Sequence, residues 1–238
     1  EGRDRTFELP EDEAQLLQNT LQSKRPVVGI VNAGGNVEMQ SWEPSLKGLL
    51  WAWYGGQEAG TAIARTLFGE LNPSGKLPVT FEKRWEDNPT FHSYYDPDGD
   101  KHVEYTEGIF VGYRGYDKLK REVQYPFGYG LSYTTFEQKM NDFSDNGDNV
   151  TFNVTVTNTG DVAGKDVVEV YFTPPYTNGG IEKASVNLID YAKTGEIAPG
   201  ESETVEFTIN KEDMASYDYK NEGCYVLDEG DYELSIRS

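Results

Sequence analysis

Val27-Val28-Gly29-Ile30-Val31-Asn32-Ala33-Gly34-Gly35 is a short unbroken apolar run that ends in a glycine turn. Such a run suits a strand buried on both faces, as in a parallel sheet. A turn at the carboxyl edge of such a sheet commonly faces a ligand. Upstream, Pro10 precedes the acidic first turn Glu11-Asp12-Glu13, and Ala14, Leu17 and Leu21 follow at helical spacing. Downstream, Ala59, Ile63 and Leu67 share one face of a second helix that Gly69 can cap. Asn72-Pro73-Ser74-Gly75 then turns the chain into Leu77-Pro78-Val79-Thr80-Phe81, read as another strand. Helix, strand, helix, strand is the order of an α/β layer fold. Two strands make a very small sheet, so further strands are expected from sequence preceding Glu1 or from another chain.

From about residue 143 the texture changes. Val150, Phe152, Val154 and Val156 alternate with polar neighbours across Asn149–Thr157, the pattern of a half-buried strand. Asp166–Phe172, Thr204–Ile209 and Gly230–Ile236 repeat it between turn signals such as Asn158-Thr159-Gly160-Asp161. Short alternating strands without helical period indicate a β-sandwich of about 95 residues. Phe136–Phe143 is read as the crossover into it. The division is therefore 1–135 for the α/β part and 136–238 for the β-sandwich.

The 238 residues hold 37% apolar and 13% aromatic side chains, enough for true cores. Net charge is −20, from 21 basic and 41 acidic residues. That excess repels nucleic-acid phosphates and anionic membrane surfaces, so neither is expected as a partner. No stretch has the apolar length of a membrane-spanning helix. A single cysteine, Cys224, rules out an internal disulfide framework and a cysteine-rich metal site. His92 and His102 stand ten residues apart in a loop-like region, so no metal site and no cofactor are expected. There is no G-x-S-x-G elbow, and the glycines after the first strand fit neither nucleotide-binding pattern.

Two stretches carry candidate chemistry. Residues 82–107 form a long polar connection bearing Trp85, Phe91, Tyr94, Tyr95 and Tyr105. A loop of that length is functional or disordered, and its aromatic content speaks against disorder. It reads either as a platform for sugar rings, with Trp85, Phe91, Tyr94 and Tyr95 as the substrate-binding candidates, or as packing against a neighbouring domain. The chain also opens on Glu1-Gly2-Arg3-Asp4-Arg5, with no initiator Met and no leader. By composition this is a solvated charged loop, or the edge of a site in a cut piece of a larger protein.

Several segments in order resemble the C-terminal part of glycoside hydrolase family 3, the β-glucosidase and β-xylosidase group. They are Val31-Asn32-Ala33-Gly34-Gly35, Tyr54-Gly55-Gly56-Gln57-Glu58-Ala59-Gly60 and Leu67-Phe68-Gly69-Glu70-Leu71-Asn72-Pro73-Ser74-Gly75-Lys76-Leu77-Pro78. Glu107-Gly108-Ile109-Phe110-Val111-Gly112-Tyr113-Arg114 and Tyr125-Pro126-Phe127-Gly128-Tyr129-Gly130-Leu131-Ser132-Tyr133-Thr134 follow. The tail is similar to that family's fibronectin type III-like domain.

The resemblance implies a partial α/β/α sandwich followed by a fibronectin type III-like β-sandwich, with an N-terminal (β/α)₈ barrel in the same protein or as a separate chain. It implies an exo-acting retaining β-glycosidase, foremost a β-glucosidase, acting on oligosaccharides or glycosides. The family's aspartate nucleophile belongs to the barrel. Its Ser-Glu-Gly-x-Asp-Arg type of loop matches from the glutamate onward, which lands the general acid/base on Glu1. Arg5 is expected to pair with Asp4 or Glu8 and brace that loop. The family's habit suggests a periplasmic or extracellular location. β-Xylosidase activity is the alternative within enzymes, and a non-catalytic carbohydrate-binding or interaction module is the alternative outside them.

Overall fold

The computed structural model of the chain describes residues 5–96 and 99–237. The α/β part begins with helix α1 (Glu11–Gln22), whose acidic first turn matches the positive end of the helix dipole. Strand β1 (Val28–Val31) pairs in parallel with β2 (Gly48–Trp51), Val28 opposite Gly48 and Val31 opposite Trp51. Helix α2 (Ala59–Leu67) follows, and Gly69 leaves it at φ 77°, the conformation a glycine cap supplies without strain.

The structure revises the expected strand at Leu77–Phe81. Only β3 (Phe81–Glu82) is regular, and it pairs antiparallel with β4 (Val123–Tyr125) rather than joining β1. The reason is local. Leu77 already exchanges backbone bonds with the 128–129 turn (Leu77 N to Tyr129 O and Gly128 N to Leu77 O, both 2.9 Å). Pro78 has no N–H for a ladder. The parallel neighbour of β1 is instead Gly48-Leu49-Leu50-Trp51, too short an apolar run to register by periodicity. With one neighbour among the described residues, β1 leaves Val28 and Ile30 exposed instead of buried on both faces. Helix α3 (Tyr113–Leu119) precedes β4.

The C-terminal half is a two-sheet sandwich. β5 (Phe136–Asp145), β6 (Asn149–Asn158), β7 (Val167–Thr173), β8 (Asn187–Lys193) and β9 (Ser202–Asn210) come first. β10 (Ser216–Asp218), β11 (Cys224–Val226) and β12 (Glu233–Arg237) complete it. One sheet runs β5-β6-β9, the facing one β12-β7-β8, and β10-β11 forms a separate ribbon. The segment expected as a crossover, Phe136–Phe143, lies within the ten-residue strand β5, which pairs with β6. Its polar outer positions masked the alternation. The core joins Val150, Phe152, Val154 and Val156 of β6 to Val168 and Val170 of β7, with Phe207 and Ile209 of β9. Burying each such side chain contributes about 1.5–3 kcal/mol.

β7 is buried along almost its whole length because its outer face packs on the α/β part. There the Glu169 carboxylate lies against Gly128, where no side chain would fit, and accepts a 2.7 Å bond from the Tyr171 hydroxyl. Lys76 approaches Asp166 at 3.5 Å, and the amide of Asn72 donates to Ala163 O at 3.0 Å. The Tyr113 hydroxyl accepts from Leu188 N at 2.8 Å. The joint is polar and closely fitted.

Candidate functional site

A cleft of about 330 Å³ opens beside the carboxyl end of β1. Its first wall is the N-terminal segment Arg5-Thr6-Phe7 together with Asn36. Phe7 O accepts from Glu38 N at 2.9 Å, which ties this segment to the chain leaving the glycine turn. The Arg5 guanidinium donates to Thr6 O at 3.1 Å and to Asn36 O. Glu8, one of its two expected partners, is not among these acceptors, and Asp4 lies outside the described residues. The planar fork of N–H donors lets one guanidinium bond both the Thr6 and Asn36 carbonyls. Asn36 is fixed in turn: its amide donates to Glu82 O at 2.9 Å and its oxygen accepts from Val37 N at 2.9 Å.

The opposite wall is aromatic. Trp85, Phe91, Tyr94 and Tyr95 all line the cleft. Trp85 sits between Phe7 and Phe91, with ring centroids 6.2 Å away on each side. Tyr94 and Tyr95 meet edge to face at 4.9 Å. Tyr105, the fifth aromatic of the connection, is exposed and does not line the cleft.

Polar anchors hold this wall in place. Asn88 Oδ1 accepts from Thr90 N at 3.0 Å and from its hydroxyl at 2.8 Å, a turn built by the side chain itself. Arg84 donates twice to the Asp87 carboxylate, at 2.7 and 3.1 Å, and these bonds hold the Asp87 carboxyl below its usual pKa. Arg121 reaches the Glu86 and Asp87 carbonyls from the far side of α3.

Glu82 forms the floor and is only 8% exposed. Its carboxylate accepts from the Tyr116 hydroxyl at 3.3 Å and the Asn88 amide at 3.4 Å. Burial and the neighbouring Glu82 charge push the Tyr116 phenol well above its ordinary range, so it stays a donor. Sequence reading missed Glu82. An acid after Phe81 in a strand should face water by alternation, but the register shifts between these two residues and buries both.

Chemically, the cleft offers aromatic faces, the Arg5 guanidinium, the Asn36 and Asn88 amides and one buried carboxylate, groups that can stack on a ring and bond hydroxyls. His92 packs edge-on against Phe91 at 5.0 Å, and His102 stands on the surface beside Asp100. Among the described residues no trio of His, Cys, Asp or Glu is placed to hold a metal ion. None of their helices is long and apolar enough to cross a membrane. The remaining candidate, Glu1, lies outside the described residues, four positions before Arg5 in the cleft wall.

Residues 1–113 match the glycosyl hydrolase family 3 C-terminal domain, and residues 166–238 match a fibronectin type III-like domain. The chain is 38% identical to β-glucosidase A of Butyrivibrio fibrisolvens over 254 residues, covering 97% of the chain and 30% of that protein. It is 39% identical to a β-glucosidase of Kluyveromyces marxianus over 238 residues, with 99% of the chain and 28% of that protein covered. The structure of β-glucosidase 3B from Thermotoga neapolitana in complex with α-D-glucose superposes with a TM-score of 0.90 at 39% identity. That superposition covers 99% of the chain and 34% of the other. The chain thus spans about a third or less of the length of these relatives.

Proposed function

Since the chain belongs to glycosyl hydrolase family 3, as its C-terminal domain followed by a fibronectin type III-like domain, we propose that it is the C-terminal portion of an exo-acting retaining β-glucosidase. In this reading it acts on terminal β-linked glucose of oligosaccharides or glucosides, with the boundary between its domains at 135/136. Glu1 is the general acid/base. The aspartate nucleophile comes from a (β/α)₈ barrel in the N-terminal region that the longer relatives contain. The same region would complete the parallel sheet at β1 and cover Val28 and Ile30, which stand exposed here.

One observation supports this reading above the others. The four aromatic residues of the 85–95 stretch converge on Arg5-Thr6-Phe7, which follows Glu1 closely in sequence. The acid of a glycosidase protonates the leaving-group oxygen, so in this reading the cleft receives the leaving group. Aromatic walls then stack on that ring while carbonyls and amides bond its hydroxyls. The nucleophile attacks from the opposite face of the cleaved sugar, with carboxyls about 5–5.5 Å apart.

Two results are expected. Residues 1–238 alone should hydrolyse no 4-nitrophenyl β-glucoside, whereas the protein extended by its N-terminal region should do so. Turnover by the 238-residue chain would refute the division of the catalytic pair. In the extended enzyme, Trp85→Ala should raise KM for a β-linked disaccharide about tenfold at nearly unchanged kcat, the loss of one stacking partner. Its effect on methyl β-glucoside, whose leaving group has no ring, should be much smaller. Initial-rate kinetics on the two substrates measures this directly.

A further inference from the structure

Glu82 is a buried acid with no cation beside it. It is 8% exposed and lines the cleft. The basic residues next to it in sequence are committed elsewhere: Lys83 pairs with Glu122 at 2.7 Å and Arg84 with Asp87 at 2.7 Å. Among the described residues no Lys, Arg or His forms an ion pair with Glu82. A buried carboxylate is costly unless it is paired or well hydrogen-bonded. Here the Tyr116 hydroxyl donates to Oε2 at 3.3 Å and the Asn88 amide to Oε1 at 3.4 Å. A hydroxyl bonded to a carboxylate commonly stands at about 2.5–2.7 Å. A carboxylate can accept roughly four bonds, so much of the capacity of Glu82 is unspent.

The surrounding chain fixes this group in place. The register shift between Phe81 and Glu82 turns the side chain inward, and bulges of this kind re-aim side chains beside functional sites. The Glu82 carbonyl accepts from the Asn36 amide at 2.9 Å, and Asn36 O in turn accepts from Arg5. Thr90 orients Asn88 by donating to its Oδ1 from both backbone and hydroxyl, which leaves the Asn88 NH₂ group turned to Glu82. An acceptor held this firmly loses little freedom on binding.

A carboxylate set in a cleft with aromatic walls fits adjacent hydroxyls of a sugar ring, which donate to it while the ring face stacks. An aryl leaving group lacks those donors. An acidic sugar brings a second negative charge toward Glu82. Arg5, the only cation among the described lining residues, is engaged by the Thr6 and Asn36 carbonyls. We propose that Glu82 selects the leaving group, accepting from adjacent hydroxyls of a neutral sugar and repelling an acidic one. This rests on the glycosidase reading above and adds to it the chemical class of the leaving group.

The test uses the enzyme extended by its N-terminal region and three substrates that share the cleaved glucose. They are methyl β-glucoside, cellobiose and the β-1,4-linked glucosyl-glucuronate. Ratios of kcat/KM between substrates do not depend on the fraction of enzyme that is folded. The unmodified enzyme should favour cellobiose over the glucuronate by about tenfold or more. Glu82→Gln, of equal size but uncharged, should lower the ratio of cellobiose to methyl β-glucoside about tenfold. It should also bring the glucuronate within about threefold of cellobiose. Equal cleavage of cellobiose and the glucuronate by the unmodified enzyme would overturn the proposal without any variant. So would unchanged ratios in Glu82→Gln, the outcome for a carboxylate that only braces Tyr116 and Asn88. An extended enzyme that cleaves no β-glucoside would instead overturn the glycosidase reading, and this inference with it.

Discussion

Replacing Glu1 by alanine in the enzyme extended by its N-terminal region is expected to lower kcat/KM by about 10²–10⁴-fold for β-glucosides with alkyl or sugar leaving groups. Dinitrophenyl β-glucoside should keep a near-normal kcat/KM. An alkoxide is a poor leaving group and needs its proton as the bond breaks, whereas an activated phenolate departs without one. The constant kcat/KM reports only the first half of a retaining reaction, in which the sugar passes to the nucleophile. In the second half the same glutamate acts as base on water, so kcat for the activated substrate should fall as the glycosyl-enzyme accumulates. Azide needs no base; adding it should restore that kcat and yield the β-glucosyl azide. Equal losses of kcat/KM on both substrate types would remove Glu1 from the role of acid. A glutamate serving as acid near neutral pH also needs its carboxyl raised toward about 6. The Arg5 contacts are compatible with that, since its guanidinium is engaged by the Thr6 and Asn36 carbonyls.

Asn158→Ala is expected to destabilise the β-sandwich by about 3 kcal/mol, which shifts its urea midpoint by about 1 M or more. Asn158 is 0% exposed and every hydrogen-bonding position of its side chain is used. Its oxygen accepts from the Thr134 hydroxyl at 2.7 Å and from Gly160 N at 3.1 Å. Its amide donates to Val162 O and Ile197 O, both at 2.8 Å. Alanine would leave the buried Thr134 hydroxyl without this partner and would remove the same bonds from the half-buried Gly160 N–H and the Val162 carbonyl. Ile197 O would keep only its bond from Gly164 N. Asn158→Asp should be no better, because it sets a second acceptor against two carbonyls. Equilibrium urea unfolding followed by far-UV circular dichroism measures both variants; a loss below about 1 kcal/mol would mean that water replaces these bonds. Thr134 belongs to the segment that joins the two halves, so the same substitution should loosen the joint.

Helices α1 and α2 and the strands β6, β7, β9 and β12 were legible because each signal is local. Pro10 and its acidic turn, Gly69, and the alternation Val150-Phe152-Val154-Val156 lie within a few residues of what they specify. β2 and α3 escaped notice because four and seven residues carry too little periodicity. β3 was overextended because Leu77–Phe81 looks like a strand until the 128–129 turn is known to occupy Leu77. β5 reads as a connection in sequence because polar residues fill its exposed positions.

The family resemblance, the two textures of the chain and the aromatic character of the Trp85–Tyr95 stretch can all be read from residue order alone. That this stretch faces Arg5-Thr6-Phe7 and Asn36, with the buried Glu82 between them, emerges only once the chain is folded. The same holds for the place of the Glu82 carboxylate beside the Tyr116 hydroxyl and the Asn88 amide. The difference has one physical cause. Periodicity and capping act between residues near in sequence, whereas the cleft is closed by hydrogen bonds such as Asn36 to Glu82, 46 positions apart. Their partners are chosen by packing of the whole chain.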